Sequence, residues 1–349
     1  MKSIAQRFII FYVALVLVAL PTETFAKQKK VLIRTAVTNK YAVNKARTAS
    51  NGKRIKVTLR KHGSATHRVY AHSQNFHSFA KVSYDNGVLQ VASSKALIVN
   101  QDTGETIFAK GTNILTPIAS VTKLMTAMVM LDAKLPMNEI LTVTDEDVDY
   151  LKSSSSRLPV GTRLSRLEML QLALMASENR AAAALGRNYP GGKGAFVRAM
   201  NTKAIELGMS SSHFADPTGL DSNNMSTAED LVRMVKAAYE YIDIKRVTTT
   251  ANYEVYLNSR GPVNFKNTNG LVREGNWEIG LSKTGYISEA GRCLVMQATI
   301  AGQPMIIVLL DSNGKFTRIG DANRIRKWIE TNPAPKQTVT GQIMVTKAS

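Results

Sequence analysis

The sequence predicts an α+β domain whose single sheet draws strands from both ends of the domain, with a helical insertion between them. Three observations lead there. Strand-like segments lie between Ala96 and Ala109, helix-like segments with their own start and stop signals fill the stretch from Pro117 to about Tyr241, and strand-like segments return after Tyr253. Strands, then helices, then strands make one layered unit, and no internal repeat is visible. At 349 residues and 44% hydrophobic, the chain can bury one large core or two ordinary ones.

Met1 to Ala26 reads as a secretory signal: Lys2 and Arg7 precede an apolar run from Phe8 to Leu20, and Pro21 and the small Ala26 follow. Thirteen apolar residues fall short of a bilayer's thickness, which favours cleavage over a lasting membrane anchor. Residues 27–83 show no sustained helical or strand period. No acidic residue lies between Glu23 and Asp85, whereas Lys27 to Ala80 holds thirteen Lys and Arg. This reads as a basic low-complexity arm, either drawn to anionic cell-envelope polymers or serving as a plain linker; nucleic acid is not an expected partner for an exported arm. The remainder is only mildly basic, although the whole chain carries +19.

His62, His67, His72 and His77 recur every five residues. That spacing is about 140° out of phase on a helix, and no Cys, Asp or Glu completes a site, so no metal or other cofactor is expected. The single cysteine, Cys293, excludes a disulfide-stapled secreted fold. An exported protein of this size without disulfides suits the bacterial periplasm.

From 84 to 331 the signals are those of a folded domain, followed by a polar tail, 332–349, that contains Pro333 and Pro335. Ala96–Asn100 and Thr106–Ala109 flank a D-x-G turn and form a hairpin. Pro117 then precedes an apolar run to Leu131, the N-terminus of a buried helix with Ser120 in its first turn. Ser165 and Glu168 make a capping box that opens a helix through Met175. A further helix, Ala195–Leu207, stops at Gly208, and a second capping box, Ser226 with Glu229, opens another to about Tyr241. Gly280–Tyr286, Gly291–Ile300 and Met305–Leu310 read as strands, the last two joined by the turn Ala301–Pro304, and Arg318–Ile329 closes the domain as a helix.

Chemistry concentrates at three places. Ser120 and Lys123 are three residues apart on one helix face, roughly 5–6 Å between Cβ atoms, so the amine can reach the hydroxyl and take its proton. The S-x-x-K spacing occurs four times, but only here does it open an apolar helix, where a lysine is costly without a task; the bland alternative is helix capping by Ser120. Ser177-Glu178-Asn179 interrupts an alanine-rich helical segment, either as a site or as a break capped by Ser177. Lys283-Thr284-Gly285 lies inside a strand, where a glycine marks a close approach and a strand edge can offer a main-chain N–H to an oxyanion; the alternative for Lys283 is a lysine guarding a sheet edge.

Conventional triads fail by counting, since only His213 lies in the folded region. A lysine base remains. An unperturbed lysine is neutral in about one molecule in two thousand at pH 7, so burial and the charge of Lys283 are expected to depress the pKa of Lys123.

S-x-x-K, S-x-N and K-T-G in this order resemble the penicillin-binding proteins and serine β-lactamases. With the flanking Pro117–Thr126, Ser212–Leu220 and Lys283–Gly291, the chain is similar to the low-molecular-mass serine D-alanyl-D-alanine carboxypeptidases and endopeptidases over about Val88 to Ile329. The resemblance implies a five-stranded antiparallel sheet flanked by helices. It implies Ser120 as the acylated nucleophile, Lys123 as its base and Ser177 as a proton relay. Asn179 would hold a substrate amide, Lys283 and Thr284 the substrate carboxylate, Gly285 would leave room for it, and the N–H groups of Ser120 and Tyr286 would form the oxyanion hole. The implied partners are peptidoglycan stem peptides, with β-lactams as covalent inhibitors.

Tyr286 stands where many carboxypeptidase relatives have His, and no second β-rich domain with an amphipathic anchor follows. The second departure favours a soluble endopeptidase of D-Ala–diaminopimelate cross-links, with a pentapeptide carboxypeptidase as the alternative. Two further alternatives are a β-lactamase and a non-catalytic peptidoglycan- or penicillin-sensing module. The loop Asp216–Asn224 lacks the glutamate with which class A β-lactamases deacylate, and Glu229 is expected to be committed to its capping box.

Overall fold

The computed structural model of the protein describes residues 88–257 and 261–332. The expected signal segment, the basic arm with its four histidines and the tail beyond residue 332 lie outside the described residues.

The chain opens with β1 (Lys95–Asn100), β2 (Thr106–Lys110) and the short β3 (Thr116–Pro117), then α1 (Lys123–Asp132), β4 (Ile140–Thr142) and β5 (Arg163–Ser165). Helices follow: α2 (Arg166–Met175), α3 (Asn179–Arg187) and α4 (Gly192–Glu206), then the short β6 (Met225–Ser226), α5 (Ala228–Tyr239) and α6 (Ile242–Thr248). The chain returns through the hairpin β7 (Asn252–Tyr256) and β8 (Pro262–Lys266), α7 (Gly270–Glu274), β9 (Glu278–Ile287), β10 (Gly291–Ile300), β11 (Gln303–Ser312) and α8 (Thr317–Thr331). The expected sheet is there: five antiparallel strands in the order β2-β1-β11-β10-β9, so the first strand pairs with the last and β9 lies at an edge.

Both faces of this sheet are covered. Leu97, Val99, Val295, Ile306 and Val308 pack under the helical insertion, while Ala96, Ile98, Leu294, Met296, Ile307 and Leu309 pack with Ala322, Ile325 and Ile329 of α8. Alternate residues of each strand thus enter different cores, which is why Met305–Leu310 is apolar without interruption. Buried Asp321 of α8 accepts from the backbone N–H of Ala92 and Ser93 at 2.9 and 2.8 Å and ties the start of the domain to its end. Helix α1 is buried from Lys123 through Met130 and runs through the middle of the helical layer.

Several local expectations are corrected. The β10–β11 turn has two residues, Ala301 and Gly302, both at positive φ (51° and 75°), the backbone that a tight hairpin requires. Helix α4 begins at Gly192 rather than Ala195, and α5 ends at Tyr239 before a separate α6. The Ser165–Glu168 capping box forms as expected. The second does not form: Thr227, one residue on, caps α5 by accepting from the Asp230 N–H, and Ser226 lies in β6 opposite Thr116. Glu229 is exposed and accepts from Thr112 Oγ1 at 2.7 Å.

Candidate active site

Ser120 lies in a 3₁₀ turn, Ala119–Thr122, and the α-helix proper starts at Lys123. Its approach is strained: Ala119 has φ 48°. Two glycines make this conformation possible. A Cβ on Gly219, itself at φ 82°, would fall 2.0 Å from the Ala119 carbonyl oxygen, and one on Gly285 would fall 3.0 Å from the Ser120 nitrogen. Only glycines let the 216–224 loop and edge strand β9 close on the backbone of Ser120 from two sides.

The 216–224 loop is wound around Asp216, whose carboxylate accepts from the N–H groups of Thr218, Gly219 and Asp221 at 2.7, 2.6 and 3.0 Å. It presents the Thr218 carbonyl to Lys123 at 2.7 Å. The Lys123 amine, fully buried, also meets Asn179 Oδ1 at 2.7 Å and Ser120 Oγ at 2.8 Å. Amide and main-chain carbonyl oxygens can only accept. A neutral Lys123 therefore spends its two N–H bonds on Asn179 and Thr218 and turns its lone pair to the Ser120 hydroxyl.

Burial pushes the Lys123 pKa from 10.5 down to about 7, opposed by the negative charges of Asp216 and Glu178. The burial expected from the sequence is the cause found, and the expected contribution of Lys283 is not among the causes. Desolvation lowers Lys123, whereas Lys283 is itself the amine that a neighbouring charge depresses: burial, then Lys123, then Arg318 hold it well below the usual lysine value.

Ser177 sits at φ 60° in the break between α2 and α3. It caps neither helix; α3 follows Glu178 without any side-chain cap, and Ser177 Oγ instead accepts from Lys283 Nζ at 2.9 Å. Strand β9 supplies Lys283, which also donates to the Thr284 carbonyl at 2.8 Å, and Thr284, whose hydroxyl meets Thr268 Oγ1 at 2.6 Å. Ser120, Ser177, Asn179, Thr284, Gly285 and Tyr286 line one cleft of about 500 Å³. Lys123 and Lys283 are buried and bond to lining residues, Lys123 to Ser120 and Asn179 and Lys283 to Ser177. Tyr286 is 56% exposed, with the Arg292 guanidinium 4.4 Å over its ring.

The same cleft gathers residues that the sequence reading does not single out, among them Arg318, Ser154 and Lys152. Arg318, at the start of α8, donates through Nη1 to the Gly285 carbonyl at 3.1 Å, and its buried Nε has no partner among the described residues. Ser154 Oγ accepts from Asn179 Nδ2 at 3.0 Å. Lys152 bridges the mouth to Glu289 in the β9–β10 turn. No local pattern marks these three, since each arrives from a distant stretch. His213 bridges to Met225 through its backbone and lies outside this cleft, as does Glu229.

The family model described as D-alanyl-D-alanine carboxypeptidase matches residues 80–314. A D-alanyl-D-alanine endopeptidase of Pseudomonas aeruginosa is 46% identical over 243 residues, 69% of this chain and 78% of the relative. One from Escherichia coli is 45% identical over the same shares. Among solved structures, a Streptomyces DD-transpeptidase superposes with a TM-score of 0.64 at 29% identity, over 68% of this chain and 97% of its own. With more than half its length matched by one family model, and its five-stranded sheet and helical layer shared with a solved relative, the chain belongs to the D-alanyl-D-alanine carboxypeptidase family.

Proposed function

We propose that the protein is a serine DD-peptidase of bacterial peptidoglycan, acting as an endopeptidase on D-Ala–diaminopimelate cross-links. The observation that carries the chemistry is the Ser120 Oγ to Lys123 Nζ contact of 2.8 Å, made by a buried amine whose pKa falls to about 7. The endopeptidase subtype is supported by the two relatives of that name.

In this reading neutral Lys123 takes the Ser120 proton as Oγ attacks the D-alanine carbonyl carbon. The developing oxyanion lies toward the N–H groups of Ser120 and Tyr286, where edge strand β9 closes on the nucleophile. Lys283, Thr284 and the partnerless Nε of Arg318 receive the carboxylate beside the scissile amide. That carboxylate restores the charge of Lys283, which burial, Lys123 and Arg318 disfavour. As the C–N bond breaks, the proton passes to the leaving amine through Ser177, and the acyl group stays on Ser120 until water, deprotonated by Lys123, releases it.

A β-lactam enters the same path as a covalent inhibitor, because its ring carbonyl presents the same acyl group. Export to the periplasm by a cleaved signal follows from Met1–Ala26, and the domain span 84–331 is the catalytic unit of this proposal. No described helix is long and apolar enough to cross a membrane. The test uses purified cross-linked muropeptide dimers and monomeric pentapeptides. Conversion of dimers to monomers supports the endopeptidase; loss of terminal D-alanine from pentapeptides alone assigns the carboxypeptidase instead.

A further inference from the structure

Glu178, the middle residue of Ser177–Asn179, is only 6% exposed and takes no part in the reaction above. A carboxylate is seldom buried without partners. Here a loop supplies them: Ser156 Oγ donates at 2.6 Å and Arg157 Nε at 3.2 Å. The Arg157 guanidinium in turn lies 3.9 Å over the Phe265 ring of β8. The same loop carries Ser154, which holds the amide nitrogen of Asn179 while the amide oxygen holds Lys123. One connected path therefore runs from the surface of the loop to the base.

We propose that Glu178 is a positioning residue for the acylation machinery: it locks the 153–157 loop so that Ser154 fixes the Asn179 amide on Lys123. The inference rests on Lys123 being the base of Ser120. The charged groups that act on Lys123 are Asp216 from the 216–224 loop and Glu178 from the α2–α3 break; Lys283 from β9 interacts with Lys123 and with Arg318, and Glu178 is paired with Arg157. Both carboxylates raise the Lys123 pKa against burial, so neutralising Glu178 lets it fall further. The loop contacts act separately, on geometry, and a displaced Asn179 slows acylation at every pH.

The test measures acylation of the full-length protein by benzylpenicillin against pH, with melting temperature in parallel, for wild type, Glu178→Gln, Glu178→Asp and Arg157→Ala. Glu178→Gln is expected to move the acid limb down by about 0.5 pH unit and to slow the plateau about five- to tenfold. Glu178→Asp restores the limb. Arg157→Ala, whose side chain is 46% exposed and so tolerates loss, slows the plateau without lowering the limb. A Glu178→Gln protein with wild-type limb and plateau overturns the inference, whatever its melting temperature. If that variant does not fold, a wild-type plateau in Arg157→Ala overturns it. A wild-type protein that is never acylated overturns the parent reading and this one with it, which separates the two failures.

Discussion

The depressed pKa of Lys123 makes a quantitative prediction about rate. At about 7 rather than 10.5, half of the molecules carry a free base at pH 7, against about one in three thousand for an unperturbed lysine. The difference corresponds to about 5 kcal/mol, supplied by removing the amine from water. Below pH 7 the free-base fraction falls tenfold per unit, so acylation at pH 5 is expected about fifty-fold slower than at pH 7, with a plateau above pH 8. The assay is the second-order rate of acylation by a chromogenic β-lactam from pH 5 to 9 at fixed ionic strength, with circular dichroism at each pH to establish folding. A rate that is flat from pH 5 to 8, or that climbs without a plateau to pH 9, refutes the argument.

Three further outcomes are expected. The folded state releases the Lys123 proton near pH 7 while the unfolded lysine keeps it to about 10.5, so stability rises with pH through that window and the cost of burial is fully present below it; Lys123→Met should therefore raise the melting temperature by an amount that shrinks from pH 6 to pH 9 in calorimetry. Gly219→Ala places a methyl group 2.0 Å from the Ala119 carbonyl at a backbone φ of 82°, and chemical denaturation should show a loss of about 3 kcal/mol or more together with slowed acylation. Arg318→Gln should raise KM about tenfold for peptides bearing the free carboxylate beside the scissile bond and leave an amide analogue lacking that carboxylate unchanged.

What the sequence discloses follows from what is local. The Ser165–Glu168 capping box forms as read, because both of its hydrogen bonds join residues three apart. The second does not form: Thr227, one residue on, caps α5 through the Asp230 N–H, and Ser226 lies in β6, paired with Thr116 more than a hundred residues away in sequence. The β7–β8 hairpin escapes notice since only Val255 and Phe265 of its strands are buried, too few for an alternating pattern. Ser120, Lys123, Ser177, Asn179 and Lys283 are legible as costly polar groups in apolar surroundings, and the structure joins them in one hydrogen-bonded group at the cleft. Arg318, Asp216 and Glu178 are not, because a charged residue in a loop or at a helix start looks solvated until tertiary folding buries it.

The claim on which the rest depends is that Ser120 is the nucleophile. Intact mass of the protein followed against time with benzylpenicillin tests it most directly, with Ser120→Ala as control. The account predicts a persistent adduct of one penicillin per chain that is absent from the control. An adduct that survives in Ser120→Ala, or a wild-type protein that stays unmodified while the penicillin remains intact, contradicts it.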